Sequence, residues 1–288
     1  MTESVVADFT TDVIPDTAAY GEPVTGRVLM SDKRVVIATP EDKRTIPIEA
    51  VFDLAYGSAP SDLRRFFETT VTIAFETDGG RGVALVEGAD EKVERFTNLL
   101  FKAIINGTDA LVKHPARIGG RITDNAVVPM TVSLNPGTVS FDGSDPFAIE
   151  VSTVTHFERM NRQVKGQDRS VLSVRHTPEM QALTSEITLP SNRKMNILGR
   201  FLRIEYSQLR EALEDTELSD RETQALVGLY SGGSDASLAG MLGMESNQVT
   251  MLLNGLVDKD LLQEGESGME LTDLGKLAVS DNIEQINT

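Results

Sequence analysis

From Gly26 to Leu54 the chain alternates apolar and polar side chains, and from Met130 it runs the same pattern again. Val28 and Met30 alternate, Ser31-Asp32-Lys33 supplies turn chemistry, and Val35 with Ile37 resumes the alternation, which predicts a hairpin. In the second copy Met130, Val132 and Leu134 alternate, Asn135-Pro136-Gly137 turns the chain, and Val139 with Phe141 runs back. Each hairpin leads into a phrase of fixed spacing, Ile46, Ile48, Val51, Leu54 in the first copy and Ile149, Val151, Val154, Phe157 in the second. The offset is 104 from Val35 to Val139 and 103 from Ile46 to Ile149, so one loop is a residue shorter in the second copy. Element order and spacing agree together, which predicts an internal duplication.

The rest of the chain extends both copies. Residues 1 to 20 are polar with scattered Val and Ile and read as an edge strand or a loosely tied arm. Pro47 places the strand around Ile46 at an edge or a strand end. Pro60 to Glu68 interrupts the sheet, and the strands Val71-x-Ile73-x-Phe75 and Val83-x-Leu85 are joined through Asp78-Gly79-Gly80. The period then changes from two to 3.6: Val93, Phe96, Leu100 and Ile104 make one face of a helix, with Asp90 and Glu91 in its first turn and Asn106-Gly107 as its stop. In the second copy Val171 to Arg175 and Leu183 to Leu189 are further strands, and Pro190-Ser191 opens a helix carrying Met195, Leu198, Leu202, Tyr206, Leu209 and Leu213 on one face.

From Glu214 the pattern is helical and short. Ser219 with Glu222 forms a capping box for a helix ending at Tyr230 before Ser231-Gly232-Gly233, Ala236 to Leu242 makes a second helix, and Ser246 caps a third bearing Val249, Leu252, Leu253 and Leu256. Leu261 and Leu262, a turn at Glu264 to Gly268, and Met269 with Leu271 form a wing, after which Thr272 caps a last helix through Leu277. Helix, helix, helix, wing is the winged helix-turn-helix pattern. The expected domains are 1–108, 109–214 and 215–288.

Composition changes this picture in two ways. The net charge is -17, with nine Lys, eighteen Arg and acidic residues spread along the whole chain. Such a surface suits a cytoplasm at very high salt, where the Debye length falls to about 3 Å at 1 M and carboxylate repulsion costs little. It argues against loose binding to nucleic acid or attachment to an anionic membrane. The winged-helix segment sharpens the point: residues 216–288 hold Arg221, Lys259 and Lys276 as their only basic side chains against thirteen acidic ones, a net of -10, and Ser246 to Val257 has no cation to set against phosphate or a base edge. That favours docking of a protein over DNA.

Candidate chemistry is sparse. Cysteine is absent, which excludes disulfides, thiolate metal sites and cysteine nucleophiles. The first twenty residues have no basic n-region and no apolar run reaches membrane-span length, so the expectation is a soluble cytoplasmic protein without membrane insertion. His114, His156 and His176 read as isolated residues with no partner at metal-ligand spacing. Phosphate-loop and nucleophile-elbow motifs are missing, and Asp142 with Asp145 lacks the further ligands of a calcium loop. The expectation is a binding protein, not an enzyme, with no cofactor and no metal. Cations gather at Arg64-Arg65 beside Phe66-Phe67, from Arg159 to Arg169 including Arg162, and at Arg193-Lys194. On so acidic a chain these are the candidate docking residues: Arg64, Arg65, Phe66, Arg162, Arg193 and Lys194.

With RVVIATPEDKRTIPIEAVFDL, VTIAFETDGG and a C-terminal LTDLGKLAV in place, the chain resembles the archaeal CheF family of taxis proteins over nearly its whole length. The resemblance implies an α+β fold with two tandem pleckstrin-homology-like antiparallel β domains, each closed by a C-terminal helix, followed by the winged helix-turn-helix module. It implies an adaptor linking the chemotaxis response regulator CheY, with CheD and CheC-type proteins, to the switch proteins of the archaellum motor. No single partner-binding residue follows from it, and a homodimer is compatible with it. A winged-helix transcription regulator and a pleckstrin-like lipid- or peptide-binding protein are the alternatives; the second needs a basic pocket, for which Lys33-Arg34 and Lys43-Arg44 are the available residues. The fold is expected to hold in molar KCl and to be lost on dilution, which circular dichroism across a salt series measures.

Overall fold

Alternation builds a seven-stranded antiparallel sheet from the first copy: β1 (Val5–Ile14), β2 (Val24–Ser31), β3 (Arg34–Ala38), β4 (Lys43–Pro47), β5 (Val51–Ser58), β6 (Thr69–Thr77) and β7 (Gly80–Glu87). The computed structural model describes residues 3–17, 21–58, 64, 66–88, 91–232, 235–265 and 268–286. The strand order is β4-β3-β2-β1-β7-β6-β5, and helix α1 (Glu91–Ile105) follows. Its stripe Val93, Phe96, Leu100 and Ile104 is buried as the period predicts, and Phe96 meets Phe9 of β1 edge-on at 5.5 Å.

The second sheet contains β8 (Thr108–Ile118), the short β9 (Arg121–Ile122), β10 (Val128–Asn135), β11 (Thr138–Asp142), β12 (Phe147–Glu150), β13 (Val154–Val164), β14 (Gln167–His176) and β15 (Leu183–Thr188). It runs β12-β11-β10-β8-β15-β14-β13, with β9 on β8. Setting β9 aside, this is the order of the first sheet element for element. Helix α2 (Asn192–Glu214) follows as α1 does. The repeated phrase has one structural meaning in both copies. Val35 pairs with Ile46 and Val139 with Ile149; a single 3-10 turn follows, Ile48–Ala50 or Val151–Thr153; and the next strand opens on a bulge, between Val51 and Asp53 or between Val154 and His156. Apart from the half-buried Phe157, the eight residues of the phrase are buried. Pro47 ends β4, an edge strand, where its missing N–H costs no ladder bond.

Two readings of the sequence are corrected. The N-terminal stretch is not an edge or an arm: β1 lies between β2 and β7, with Val13 and Ile14 fully buried. Only part of one face is apolar, because Asp8 and Asp12 lie along its solvated side, where Arg27 and Thr25 of β2 bond them, and that thinned the pattern. The third C-terminal helix is capped one residue earlier than expected, since Ser246 is already helical and the N–H of Glu245 donates to Gln248 Oε1 at 3.0 Å. Asp90, Gly233 and the tip of the expected wing lie outside the described residues.

The contacts divide the chain into one unit of Met1–Asp109, Thr131–Pro136 and Leu189–Ile204, and another of Ala110–Met130, Gly137–Thr188 and Glu205–Thr288. The second contains α3 (Asp220–Tyr230), α4 (Asp235–Leu242), α5 (Ser246–Asp258), the hairpin β16 (Leu262–Gly265) with β17 (Gly268–Leu271), and α6 (Asp273–Ile286). The Ser219–Glu222 capping box forms as read, and Thr272 Oγ1 caps α6 by accepting from the Gly275 N–H at 3.1 Å. Leu226, Leu238, Leu253, Leu256, Leu261 and Val279 make the core of these helices. Helix α6 meets the turn at Val151–Thr153: Ser152 Oγ donates to Asp273 Oδ1 at 3.1 Å and Lys276 Nζ to Glu150 Oε2 at 2.7 Å. Tyr230 Oη donates to the Thr177 carbonyl at 2.9 Å, and Thr177 Oγ1 to Ser280 Oγ at 3.2 Å.

Gly82 and Gly275 are among the glycines that hold tight contacts. A Cβ on Gly82 would lie 2.6 Å from the ring of Phe75, its partner across β6 and β7, and one on Gly275 would lie 2.1 Å from the Leu261 carbonyl oxygen. Gly82→Val and Gly275→Ala are each expected to lower stability by roughly 1–3 kcal/mol through overpacking, read as a shift of the denaturation midpoint in molar KCl. The second should weaken the C-terminal helices first, visible as loss of amide-exchange protection in α6.

Candidate partner-binding site

Pro190 and Ser191 start α2 as the sequence predicts: Ser191 Oγ accepts the Lys194 N–H at 3.2 Å and its carbonyl accepts that of Met195. The next residues then break a local rule. Arg193 and Lys194 put two cations in the first turn, where the helix dipole disfavours positive charge. Arg193 offsets this by donating from Nη2 to the Ile48 carbonyl at 2.6 Å and from Nε to the Val51 carbonyl, so its guanidinium braces the first 3-10 turn. Lys194 Nζ donates to Thr108 Oγ1 at 2.6 Å. Burial holds both side chains below their ordinary pKa values, and Arg193 depresses Lys194 further while Asp109 acts the other way.

Beside them is a cavity of about 390 Å³ within the first unit. Lys33, from the β2–β3 turn, joins Arg193 and Lys194 along its wall; Asp32 and Glu49 also line it, over a floor containing Ile48 and Ile104. The arrangement suits a carboxylate or another acidic side chain entering with a few apolar atoms. The two lining carboxylates count against a multiply charged headgroup.

The other candidates are placed differently. Arg64 is exposed and engaged with neighbours; Arg65 lies outside the described residues; Phe66 packs against the buried cluster of Ile14, Phe67 and Leu85, so core packing accounts for it. Arg162 sits on β13, an edge strand, and bonds Glu186 at 2.7 Å. The cations from Arg159 to Arg169 belong to one hairpin, turned at Lys165-Gly166 with φ of +51° and +78°, the type I′ signature. The structure thus gathers Arg193, Lys194 and Lys33 in one cavity and leaves Arg64, Phe66 and Arg162 elsewhere.

Two of the three histidines, His114 and His176, meet although they lie far apart in sequence, while His156 is exposed on β13. In the second unit His114 Nδ1 lies 2.7 Å and His176 Nε2 3.0 Å from Ser185 Oγ, and His114 stacks on Phe147 at 3.7 Å between centroids. Strand β8 escaped the sequence reading, and the bulge between Thr184 and Glu186 opposite it sets which side chains meet. Among the described residues no group of three or more His, Cys, Asp or Glu is placed to hold a metal ion, and no helix is long and apolar enough to cross a membrane. Burial, reinforced by His114, pushes His176 down to about 4 from 6.5; burial also lowers His114, opposed by Asp145. Between those values the unfolded chain binds the proton that folded His176 refuses, so stability falls as pH drops from 6.5 towards 4, by about 3 kcal/mol in all. His176→Gln is expected to remove most of that acid sensitivity in denaturant titrations at pH 7 and pH 4.5.

Comparison with known proteins supplies the context for these sites. The family model described as archaeal chemotaxis signal transduction system protein F matches residues 5–208, and a domain of unknown function matches residues 217–284. The chain is 48% identical to Taxis protein CheF2 of Halobacterium salinarum over 287 residues, all of both chains. It is 28% identical over 249 residues to Taxis protein CheF1 of the same organism, covering 86% of this chain and 83% of that one. Matched across both sheets by the family model and along its full length by a taxis protein, the chain belongs to the archaeal CheF family of chemotaxis signalling proteins.

Proposed function

We propose that this protein is a non-catalytic chemotaxis adaptor that links the response regulator CheY, with CheD and CheC-type proteins, to the switch of the archaellum motor. The Lys33–Arg193–Lys194 cavity carries the reading. On a chain of net charge -17 it concentrates cations at a helix start that electrostatics alone would leave empty of them, and it selects for an acidic partner surface. Membership of a taxis signalling family supports the biological setting.

The architecture supports a three-part reading. The equal strand orders, each followed by a helix, favour two pleckstrin-homology-like domains at 1–108 and 109–214. The α3–α4–α5–hairpin–α6 order favours a winged-helix module at 215–288, and the two family matches break between residues 208 and 217. Helix α5 carries no Lys or Arg, which favours this module as a protein-docking element over a DNA reader.

The switch follows from differential affinity: phosphorylated CheY binds more tightly than the unphosphorylated form, and only that difference biases the motor. In a titration with labelled CheY in molar KCl, phosphorylation is expected to tighten binding at least tenfold. Lys33→Glu, at an exposed position, is expected to weaken it by a similar factor without moving the melting temperature. Equal affinity for the two forms removes the switch, and no binding of either removes the adaptor.

A further inference from the structure

Helix α3 presents Asp220, Gln224, Val227 and Ser231 along one side, at i, i+4, i+7 and i+11, and all four line a groove of about 860 Å³ within the second unit. The stripe runs from the first residue of this 11-residue helix past its end, a length of about 16 Å at 1.5 Å per residue. The groove is therefore elongated, matched to about three turns of a second helix. Its other walls include Met241 and Leu242 of α4 and Asn282 of α6.

Three features mark it as a docking surface. Met241 is 56% exposed, and the absent side chain of Gly228 lets it settle close to α3, since a Cβ there would lie 2.4 Å from Met241 Cε. Met180 is 40% exposed, with its Sδ 3.1 Å from Ser231 Oγ at one end of the groove. Exposed thioethers are polarizable and repack around varied apolar partners. Met180 and Glu179 hold φ of +63° and +48°, a left-handed backbone that non-glycine residues rarely adopt and that collects at binding sites.

Charge selects the occupant. Among the described residues no Lys or Arg lines the groove, Asp220 stands at one end, and residues 216–288 net -10. We infer that this groove binds an amphipathic helix of another protein, whose apolar stripe meets Val227, Met241 and Leu242 and whose flanks carry Lys or Arg towards Asp220. The inference stands apart from CheY binding, which the Lys33 cavity serves with opposite charge.

The test uses the full chain in 1 M KCl, where non-specific attraction to an acidic surface is screened, and fluorescence anisotropy with three labelled peptides of about fourteen residues, four helical turns. One carries Leu at i, i+3, i+4 and i+7 with Lys flanks, one keeps the Leu stripe with Glu flanks, and one keeps the Lys composition with the stripe scrambled. The first is expected to bind at least tenfold more tightly than either of the others. Gln224→Trp, at an exposed position, and Met241→Glu are each expected to weaken it at least tenfold, with unchanged circular dichroism and melting temperature. Should Met241→Glu unfold the helices, Gln224→Trp decides alone. Equal binding of the three peptides, indifference to Gln224→Trp, or a self-association of the free chain that Gln224→Trp abolishes would each overturn the inference.

Discussion

Both sheets of this protein depend on one buried corner. The chain leaves an edge strand, makes a single 3-10 turn and enters a bulged strand, and the apolar residues of the repeated phrase fill the space beneath. Because side chains alternate along a strand, a slip of one residue would send Ile46 or Ile149 to solvent, so burial of this phrase fixes the register of the strands on either side. The turn makes its own backbone bond, from the Val51 N–H to the Ile48 carbonyl in one copy and from the Val154 N–H to the Val151 carbonyl in the other. In the first unit Arg193 donates as well to the Ile48 and Val51 carbonyls; in the second, α6 meets the corresponding turn through side chains, Asp273 accepting from Ser152 and Lys276 donating to Glu150. The duplicated scaffold thus acquires different helical partners at the same point, and the candidate surfaces lie where the copies differ.

What was legible in the sequence was what is encoded locally. The Ser219–Glu222 box, the stripe of α1 and the turn at Asp78-Gly79 each depend on residues within a few positions of one another, and each forms as read. The repeated phrase was legible for the same reason, twice over. Strand β8 was not: its buried residues include the small Ala110 and Ala116, and Lys113, His114 and Pro115 interrupt the apolar alternation. Missing β8 hid the meeting of His114 and His176 at Ser185, because that depends on pairing between strands more than sixty residues apart. The candidate cavity was half legible: Arg193 and Lys194 stood out as cations at a helix start, and Lys33 as a basic turn, but only folding brings the turn and the helix together.

The ionic contacts divide into two kinds. Pairs such as Arg27–Asp8 and Arg34–Glu3 join neighbouring segments of the first sheet, with both arginine side chains more than half exposed, and contribute little to stability even before screening. Arg193 and Lys194 are different. They are half-buried, held by neutral oxygens instead of carboxylates, and placed against the helix dipole. Stability does not ask for charge there, since an uncharged donor could serve the same oxygens without the dipole penalty.

Salt decides which of these features can recognise anything. At about 1 M the Debye length is near 3 Å, so the field of a strongly acidic surface no longer steers partners from a distance. Discrimination must then come from groups already in contact and partly desolvated, where screening ions do not enter. Among the described residues the half-buried Arg193 and Lys194 at the start of α2 meet that condition for charge, and the apolar walls of the groove along α3 offer contact that salt does not screen; on the proposed reading the two surfaces favour partners of opposite charge. An adaptor of the proposed kind would gain from this opposition, because a partner suited to one surface does not suit the other and so does not compete for it.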